Sequence, residues 1–172
     1  LGEFELIARF FDRGPARDAL LGIGDDCALL APVDPHNVLA VSTDLLVEGR
    51  HFFRDADPVD VGHKSLAVNL SDLAAMGARP RAFTLALALP DGDEGWLEGF
   101  CRGLFAIADR HGCELVGGDT TRGPLTVCIT VFGEVPPEAA LRRDAAQPDD
   151  DLWVSGALGA ASGPDARRAS PG

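Results

Sequence analysis

The stretch AVNLSDLAAMG, residues 67–77, predicts a long helix that is apolar over most of its circumference. Upstream, Asp57 and Pro58 are typical of an N-cap followed by proline at the first helical position. Downstream, Gly77 readily adopts the left-handed conformation that ends many helices. We therefore expect a helix from Pro58 to about Met76, and the other elements are predicted outward from it.

Three polar side chains interrupt the apolar surface of this helix. Ser65, Asn69 and Asp72 follow one another at i, i+4 and i+7, which places them in one row. An unpaired polar group in a buried position costs on the order of a few kcal/mol, so a polar row on a buried helix usually lines a site. A row that faces solvent explains the same pattern, and the sequence leaves both interpretations open.

Outward from this helix, the spacing of apolar residues predicts strands interleaved with helices. The predicted elements are a short helix over 4–11, turn-prone residues up to Leu21, strands over 27–30, 38–41 and 82–89, a second long helix from Asp93 to Gly112, and strands over 114–116, 125–135 and 152–155. This order favours an α/β fold with helices on one face of a mixed β-sheet. Residues 1–155 then form one domain, and residues 156–172, rich in Ala, Gly, Ser and Pro, are expected to be loose.

The composition restricts the class of protein. The 172 residues carry a formal net charge of −12, and such a chain repels nucleic-acid phosphates, which disfavours a general DNA or RNA binder. No apolar run is long enough to cross a bilayer, so we expect a cytoplasmic protein with no membrane partner. Cys27, Cys101, Cys113 and Cys128 are isolated from one another, which predicts reduced thiols rather than a zinc site or disulfides.

Two segments combine glycines with acidic side chains. GIGDD, residues 22–26, precedes a predicted strand, and GGDTTRGP, residues 117–124, connects two predicted strands. Glycine allows backbone N–H groups to come close to phosphate oxygens. An ordinary turn explains each segment taken singly, and neither matches a Walker A motif or a dinucleotide fingerprint.

A third segment, Ser42-Thr43-Asp44, follows the predicted strand 38–41 and presents two hydroxyls and a carboxylate. A helix cap is the alternative explanation, but Leu45-Leu46-Val47 does not resemble a helix start. A cluster of carboxylates repels itself unless divalent cations bind, and oxygen ligands suit magnesium rather than zinc. The residues alone thus predict magnesium-dependent phosphate chemistry. The carboxylates concerned are Asp25, Asp26, Asp44, Asp72 and Asp119.

Taken together, these segments resemble the bacterial thiamine-monophosphate kinase family. The resemblance rests on Gly2-Glu3-Phe4, GIGDDCALL at 22–30, Ser42-Thr43-Asp44, and residues 67–77 and 117–124, which have the family's order and spacing. It implies an enzyme that transfers the γ-phosphoryl of ATP to thiamine monophosphate, giving thiamine diphosphate. It also implies the N-terminal-domain fold of aminoimidazole ribonucleotide synthetase, in which the sheets of two copies pair across a homodimer into a barrel-like core.

The resemblance further implies roles for individual residues. Several Mg²⁺ ions would be held by Asp26, Ser42, Thr43, Asp44, Asp72 and Asp119, with Asp25 as a neighbour, while Gly118, Asp119 and Arg143 would contact ATP and His51 the substrate. Asp72 and Asp119 would be catalytic by holding the ions during a direct in-line transfer. No strong general base is expected, because the accepting phosphate is already an anion.

The family's chain is much longer than 172 residues, and from about Ala160 this sequence no longer follows it closely. We therefore expect a fragment that lacks the family's second domain, which supplies much of the thiamine pocket. Two alternatives stay open: a folded, non-catalytic dimerisation or nucleotide-binding module, and another ATP-dependent enzyme of the same superfamily. Selenophosphate synthetase is disfavoured, since no reactive Cys in a glycine-rich segment precedes Cys27.

Overall fold

Two long helices cover one face of a four-stranded sheet in the computed structural model, which describes residues 2–154. The elements in chain order are α1 (Glu3–Leu6), which continues as a π-helical turn (Ile7–Phe11), β1 (Ala19–Leu21), β2 (Leu29–Leu30), β3 (Val38–Val47), α2 (Pro58–Ala75), β4 (Arg79–Leu89), α3 (Glu94–His111), β5 (Glu114–Arg122), β6 (Thr126–Val135) and a 3₁₀ turn (Pro137–Ala139). The α/β class with helices on one face of a mixed sheet is confirmed.

The sheet has the strand order β3-β6-β4-β5. β4 and β5 are parallel and joined through α3, whereas β6 pairs antiparallel with both β3 and β4. β1 and β2 form a separate antiparallel pair, here called the ribbon. β3 and β5 are therefore the two edges of the sheet, and the segments singled out in the sequence lie on these edges, on the ribbon and on α2.

The boundaries of both long helices follow from their capping residues. The Asp57 side chain accepts a hydrogen bond from the Val59 backbone N–H at 2.8 Å, and the Asp93 side chain accepts one from that of Trp96 at 3.1 Å. α3 ends at Gly112, which has the left-handed φ of 60°. The predicted starts and ends of both helices are confirmed.

The two helices cross at very short distance because glycines lie at the crossing. A Cβ added at Gly62 would come within 2.0 Å of the Phe100 carbonyl oxygen, and one added at Gly103 within 1.9 Å of the Val59 carbonyl oxygen. Close approach of the backbones lets both helices bury apolar side chains against the same face of the sheet. The largest fully buried side chains of this core include Leu66, Leu73, Phe83, Leu87, Leu97, Phe100, Leu104 and Ile129.

The opposite face of the sheet carries no helix within the described part of the chain. Alternation along β3 turns Leu39, Val41, Thr43 and Leu45 to this side, here called the open face. Leu39, Val41 and Leu45 are 47%, 54% and 53% exposed. A row of half-exposed aliphatic side chains on a sheet is typical of a surface that packs against another layer.

Three strands are longer than the sequence predicted: β4 begins at Arg79 rather than at residue 82, and β3 and β5 extend through candidate site residues. β3 continues to Val47, so Ser42, Thr43 and Asp44 lie within the strand rather than at its end. β5 continues to Arg122, so most of the glycine-rich segment is strand rather than turn. In both cases pairing along the neighbouring strand overrides the low strand propensity of Gly and Asp.

Three smaller predictions near the chain ends need correction. β1 forms in a segment expected to be a turn, and the strand predicted over 27–30 is limited to Leu29–Leu30. No strand forms over 152–154, where Leu152 and Trp153 are 94% and 87% exposed and pair with nothing described. Residue 155 and the predicted loose segment 156–172 lie outside the described residues, so the domain boundary stays a prediction.

Candidate functional site

A cavity of about 580 Å³ lies between the ribbon, the start of β5 and the N-terminal helix. The loop between β1 and β2 forms one wall and the Gly-Gly-Asp-Thr part of β5 forms another. The structure thus brings two of the sequence-predicted segments together, and with them Asp25, Asp26, Gly118 and Asp119. The lining residues are Ile7, Phe11, Gly22–Ala28, Thr84, Leu85 and Leu115–Thr120.

Glycine is required where β5 passes the cavity. Gly118 has φ 151°, and a Cβ added there would meet the Leu85 carbonyl oxygen at 1.8 Å. A side chain at this position would push β5 away from β4. On the ribbon side, Gly24 has φ 115° with open space around it, so the loop bends without contacting a neighbour at this point.

The carboxylates of this cavity lack cationic partners. Among residues 2–154, neither Asp25, Asp26 nor Asp119 forms an ion pair with a Lys, Arg or His side chain. Asp25 accepts a hydrogen bond from the Asp26 backbone N–H at 2.8 Å, and both residues are exposed. The negative charge of these carboxylates is therefore not compensated by a cationic side chain of the described residues. The ligands that they offer to a metal ion are oxygen atoms.

A second group of the predicted residues lies where α2 packs on β3. The Ser42 hydroxyl donates a hydrogen bond to the Asp72 carboxylate at 2.6 Å, and the Asp44 backbone N–H donates one to Asn69 Oδ1 at 3.1 Å. Asn69 and Ser65 are fully buried, whereas Asp72 is exposed. The polar row on α2 is thus mainly an internal contact with the edge strand, and only its last member reaches solvent.

These two groups are well separated within one chain. β3 and β5 are opposite edges of the sheet with two strands between them, which corresponds to about 14 Å at roughly 4.8 Å per strand. The two groups also lie on opposite faces of the sheet. Asp44 aligns across the sheet with the buried Ile129 and Leu85 on the helix side. Asp119 aligns with Ala86, Cys128 and the exposed Leu45 on the open face. Over residues 2–154, no three His, Cys, Asp or Glu side chains are grouped so as to hold one metal ion.

The remaining predicted residues lie away from the cavity. Thr43 turns to the open face, where its hydroxyl is 2.8 Å from that of Thr130. His51 is exposed in the turn after β3, and its Nδ1 accepts a hydrogen bond from the Val47 backbone N–H at 3.0 Å. Arg143 is exposed beyond the 3₁₀ turn. None of the three lines the cavity.

The N-terminal helix forms a wall of the cavity that the sequence did not predict. Ile7 and Phe11 were expected only as the apolar side of a short helix, and both line the cavity. Arg9 pairs with Glu94 at 2.8 Å, and Arg13 donates two hydrogen bonds to Asp109 at 2.7 and 3.1 Å. The sequence carries little signal for this arrangement, because Arg13 lies beyond the end of the helical segment at Phe11.

Two ion pairs of this N-terminal segment, Arg13–Asp109 and Arg17–Glu114, lower the pKa of their carboxylates. The hydrogen bond from Arg13 holds the pKa of Asp109 below its usual value. Partial burial alone would raise the pKa of Glu114, but hydrogen bonds from the Arg17 side chain and from the backbone N–H groups of Arg17 and Asp18 together lower it. Both carboxylates are therefore charged at neutral pH, and they fix the chain between the N-terminal helix and the ribbon.

Comparison with known proteins relates this chain to the AIR synthase related proteins. The profile of the AIR synthase related proteins, N-terminal domain, matches residues 24–135. Thiamine-monophosphate kinase of Escherichia coli K12 is 54% identical over 160 residues, covering 92% of this chain and 49% of that protein. The chain thus spans about half the length of the curated relatives it matches.

Solved structures agree with the sequence relatives. The crystal structure of thiamine-monophosphate kinase from Stenotrophomonas maltophilia has a TM-score of 0.79 and 53% identity, covering 92% of this chain and 49% of that one. A structure of AaThiL complexed with AMPPCP and TMP has a TM-score of 0.62 and 33% identity, covering 68% and 38%. The profile match alone spans most of the described residues, and the chain therefore belongs to the AIR synthase related protein family, whose N-terminal domain it contains.

Proposed function

We propose that this chain is the nucleotide- and magnesium-binding half of a thiamine-monophosphate kinase, which transfers the γ-phosphoryl of ATP to thiamine monophosphate. The observation that carries the proposal is the cavity in which the Gly-Gly-Asp part of β5 meets the Gly-Ile-Gly-Asp-Asp loop. The 54% identity to the Escherichia coli kinase supports the same assignment. AaThiL, which shares the fold, is complexed with AMPPCP and TMP.

The residues of the cavity fit magnesium as the metal. Their donors are carboxylate oxygens without cationic partners among the described residues, and magnesium is commonly held by one or two carboxylates together with substrate phosphates. Asp26 and Asp119 would hold it, with Asp25 beside them. Bound magnesium supplies positive charge that offsets the triphosphate and the accepting phosphate.

The chain's own residues orient the nucleotide in this proposal. A Cβ added at Gly117 would meet nothing within 4 Å, which leaves room for phosphate oxygens beside this part of β5. Ile7, Phe11 and Leu115 give the cavity an apolar side that suits a heterocyclic base. Arg143 and His51 lie outside it, so their roles toward ATP and the substrate require the chain or its partner to bring them closer.

We include a homodimer in the proposal. The aliphatic row Leu39, Val41 and Leu45 on the open face is the kind of surface that a second sheet covers. The ligand group of Ser42, Asp44 and Asp72 is remote from Asp119 within one chain, so a single copy does not assemble all the predicted magnesium ligands. Ser42 and Asp44 lie on the helix side of β3, aligned with the buried Val131 and Ile129, so the aliphatic row alone carries the dimer proposal.

A cytoplasmic location is also part of the proposal. All four cysteines are free thiols, as expected for a reducing compartment. Burial raises the pKa values of Cys101 and Cys113 to about 12, so these two thiols stay protonated and unreactive. Among residues 2–154, no helix has both the length and the apolar character that a membrane span requires.

The division of the ligands favours one alternative. Because the chain spans about half of its relatives and keeps its acidic residues in two groups, it would by itself be a nucleotide-binding or dimerisation module without turnover. An activity assay on the isolated chain separates this module from a competent kinase, because only the kinase would form thiamine diphosphate from ATP and thiamine monophosphate. The module and the kinase share the fold and the cavity.

The proposed reaction is tested by replacing Asp119 in that full-length protein. Asp119→Asn keeps the size of the side chain but removes a charge from the cavity, and we expect the rate of thiamine diphosphate formation from ATP and thiamine monophosphate to fall at least about a hundredfold. Asp55→Asn, at an exposed aspartate outside the cavity, is the matched control and should retain the rate. Equal rates for both variants would remove Asp119 from the site.

A further inference from the structure

The ribbon that carries Asp25 and Asp26 is too small to hold its own position. β1 has three residues and β2 two, and the register between them is interrupted by an irregularity. An isolated two-stranded pair of this size is marginally stable in water. The seven-residue loop at its tip nevertheless forms a wall of the cavity, so other contacts must fix it.

Those contacts converge on one buried arginine of the main sheet. Arg81 on β4 is 4% exposed, and its Nη2 donates hydrogen bonds to the Ala31 carbonyl at 3.0 Å and to the Asp18 carboxylate at 3.3 Å. Asp18 immediately precedes β1 and Ala31 immediately follows β2. The two ends are also joined directly, because the Ala31 N–H donates to the Asp18 carbonyl at 2.9 Å. Arg81 therefore clamps both ends of the ribbon to the sheet.

Two carboxylates lie near the Arg81 guanidinium, and they depend on it to different degrees. The guanidinium lies 3.3 Å from Asp18 and 3.9 Å from Glu134, and the Arg81 Nε has no hydrogen-bond partner among residues 2–154. Removing one member of a buried ion pair leaves the other uncompensated and is costly. Glu134 keeps a second partner in Arg79, whereas within the described residues Asp18 has only Arg81 as an ion-pair partner. Loss of Arg81 thus acts mainly on the ribbon.

We propose that Arg81 is a positioning residue that holds the 22–28 loop, and with it Asp25 and Asp26, in place for the magnesium–nucleotide ligand. The inference rests on the proposed function for the identity of that ligand. Arg81 does not line the cavity, so it acts through the loop. Residues that orient metal ligands from outside typically change metal affinity about 10- to 100-fold when they are replaced.

The test compares two neighbouring arginines of β4 in the full-length protein. Arg81→Met removes the clamp, and Arg79→Met removes an arginine that shares Glu134 but contacts neither end of the ribbon. We expect amide hydrogen exchange of residues 22–28 to become at least about tenfold faster in Arg81→Met, with the amides of α2 and α3 unchanged. We also expect the Kd for magnesium–AMPPCP to rise about tenfold. Arg79→Met should leave both within about twofold of the unmodified protein.

A double-mutant comparison separates positioning from general destabilisation. If Arg81 acts through the loop, Arg81→Met should add little to the Kd of a protein that already carries Asp26→Asn. Faster exchange throughout the molecule, or an unchanged Kd despite a loosened loop, would overturn the proposal. If Arg81→Met does not fold, Asp18→Ala breaks the same contact from the ribbon side and should give the same selective exchange. Failure of the unmodified protein to bind magnesium–AMPPCP would contradict the proposed function instead, and the exchange comparison, made without ligand, would still decide whether Arg81 fixes the loop.

Discussion

Asn69 belongs to the polar row on α2, but its side chain stabilises the fold rather than binding a ligand. It is fully buried, its amide donates to the Ser65 carbonyl at 2.9 Å, and its Oδ1 accepts from the Asp44 backbone N–H. β3 is an edge strand of the described sheet, so this N–H has no partner from another strand within residues 2–154. Asn69 therefore supplies the missing acceptor and fixes α2 against the segment that carries Ser42 and Asp44.

We predict that Asn69→Leu lowers the free energy of unfolding by about 1–3 kcal/mol, because it leaves the Asp44 N–H without an acceptor. Urea unfolding followed by the fluorescence of Trp96, which stacks on Phe100, measures the change. Ser65→Ala is the matched control on the same buried face. The Ser65 hydroxyl only adds a second bond to the Val61 carbonyl, so less than about 1 kcal/mol should be lost. Equal effects would contradict the role of Asn69.

Asp72 lies one turn further along the same row and has a different environment. It is exposed and accepts from the Ser42 hydroxyl, so it remains available to a cation while Asn69 does not. The spacing of the row was predictable from the sequence, since three polar residues fall on one helical face. Which of them reaches solvent depends on where β3 ends and how α2 lies over it, and that is set by tertiary packing.

At the scale of elements, the crossing of α2 and α3 determines how closely the helical layer covers the sheet. A Cβ at Gly103 would lie 1.9 Å from the Val59 carbonyl oxygen and 3.0 Å from the His63 nitrogen, both backbone atoms. Backbone atoms inside a helix do not move aside easily. Gly103 therefore lowers the intrinsic stability of α3 but allows the two helices to pack closely.

We predict that Gly103→Ala lowers the free energy of unfolding by at least about 2 kcal/mol, although alanine is the better helix former by about 1 kcal/mol. Gly95→Ala is the matched control in the first turn of α3. Its added Cβ would meet only the Asp93 Oδ1 at 3.4 Å, so thermal unfolding should shift little or move upward. A neutral Gly103→Ala would mean that the helices are further apart than described.

The sequence predicted elements with local signals better than elements defined by pairing. The ends of α2 and α3 carry capping residues, Asp57, Asp93 and Gly112, whose effect is local, and these boundaries agree with the structure. β3 and β5 extend through Asp44 and Asp119, residues of low strand propensity, because β6 and β4 pair with them over their full length. Such pairings join residues far apart in sequence and leave no local signal.

The difference between local and long-range signals also explains which parts of the candidate site were predictable from the sequence. The loop 22–26 and the segment 117–120 were recognisable as a glycine and aspartate pattern, and the structure places both on one cavity. The contribution of the N-terminal helix was not predictable from that pattern, because Ile7 and Phe11 are ordinary apolar residues. Arg81 lay just outside the strand predicted over 82–89, and only the position of the ribbon reveals what it contacts.

At the scale of the whole molecule, the open face is the largest feature that one copy leaves unexplained. We predict that the protein is a dimer through this face, and that Val41→Glu shifts it to a monomer because a charge is then buried in an apolar interface. Light scattering after size-exclusion chromatography measures the mass. Leu20→Glu, at a 76% exposed position on the ribbon, is the control and should remain dimeric. A monomer before any substitution would contradict the paired-sheet arrangement.

The proposed magnesium-dependent nucleotide site of this chain lies in the cavity between the ribbon and β5. Calorimetric titration with AMPPCP, in the presence and absence of Mg²⁺, tests it most directly. We predict binding that requires Mg²⁺ and that disappears in Asp119→Asn, because the uncompensated carboxylates repel the phosphates unless a cation lies between them. Binding that is equally tight without Mg²⁺, or that survives Asp119→Asn unchanged, would contradict the account.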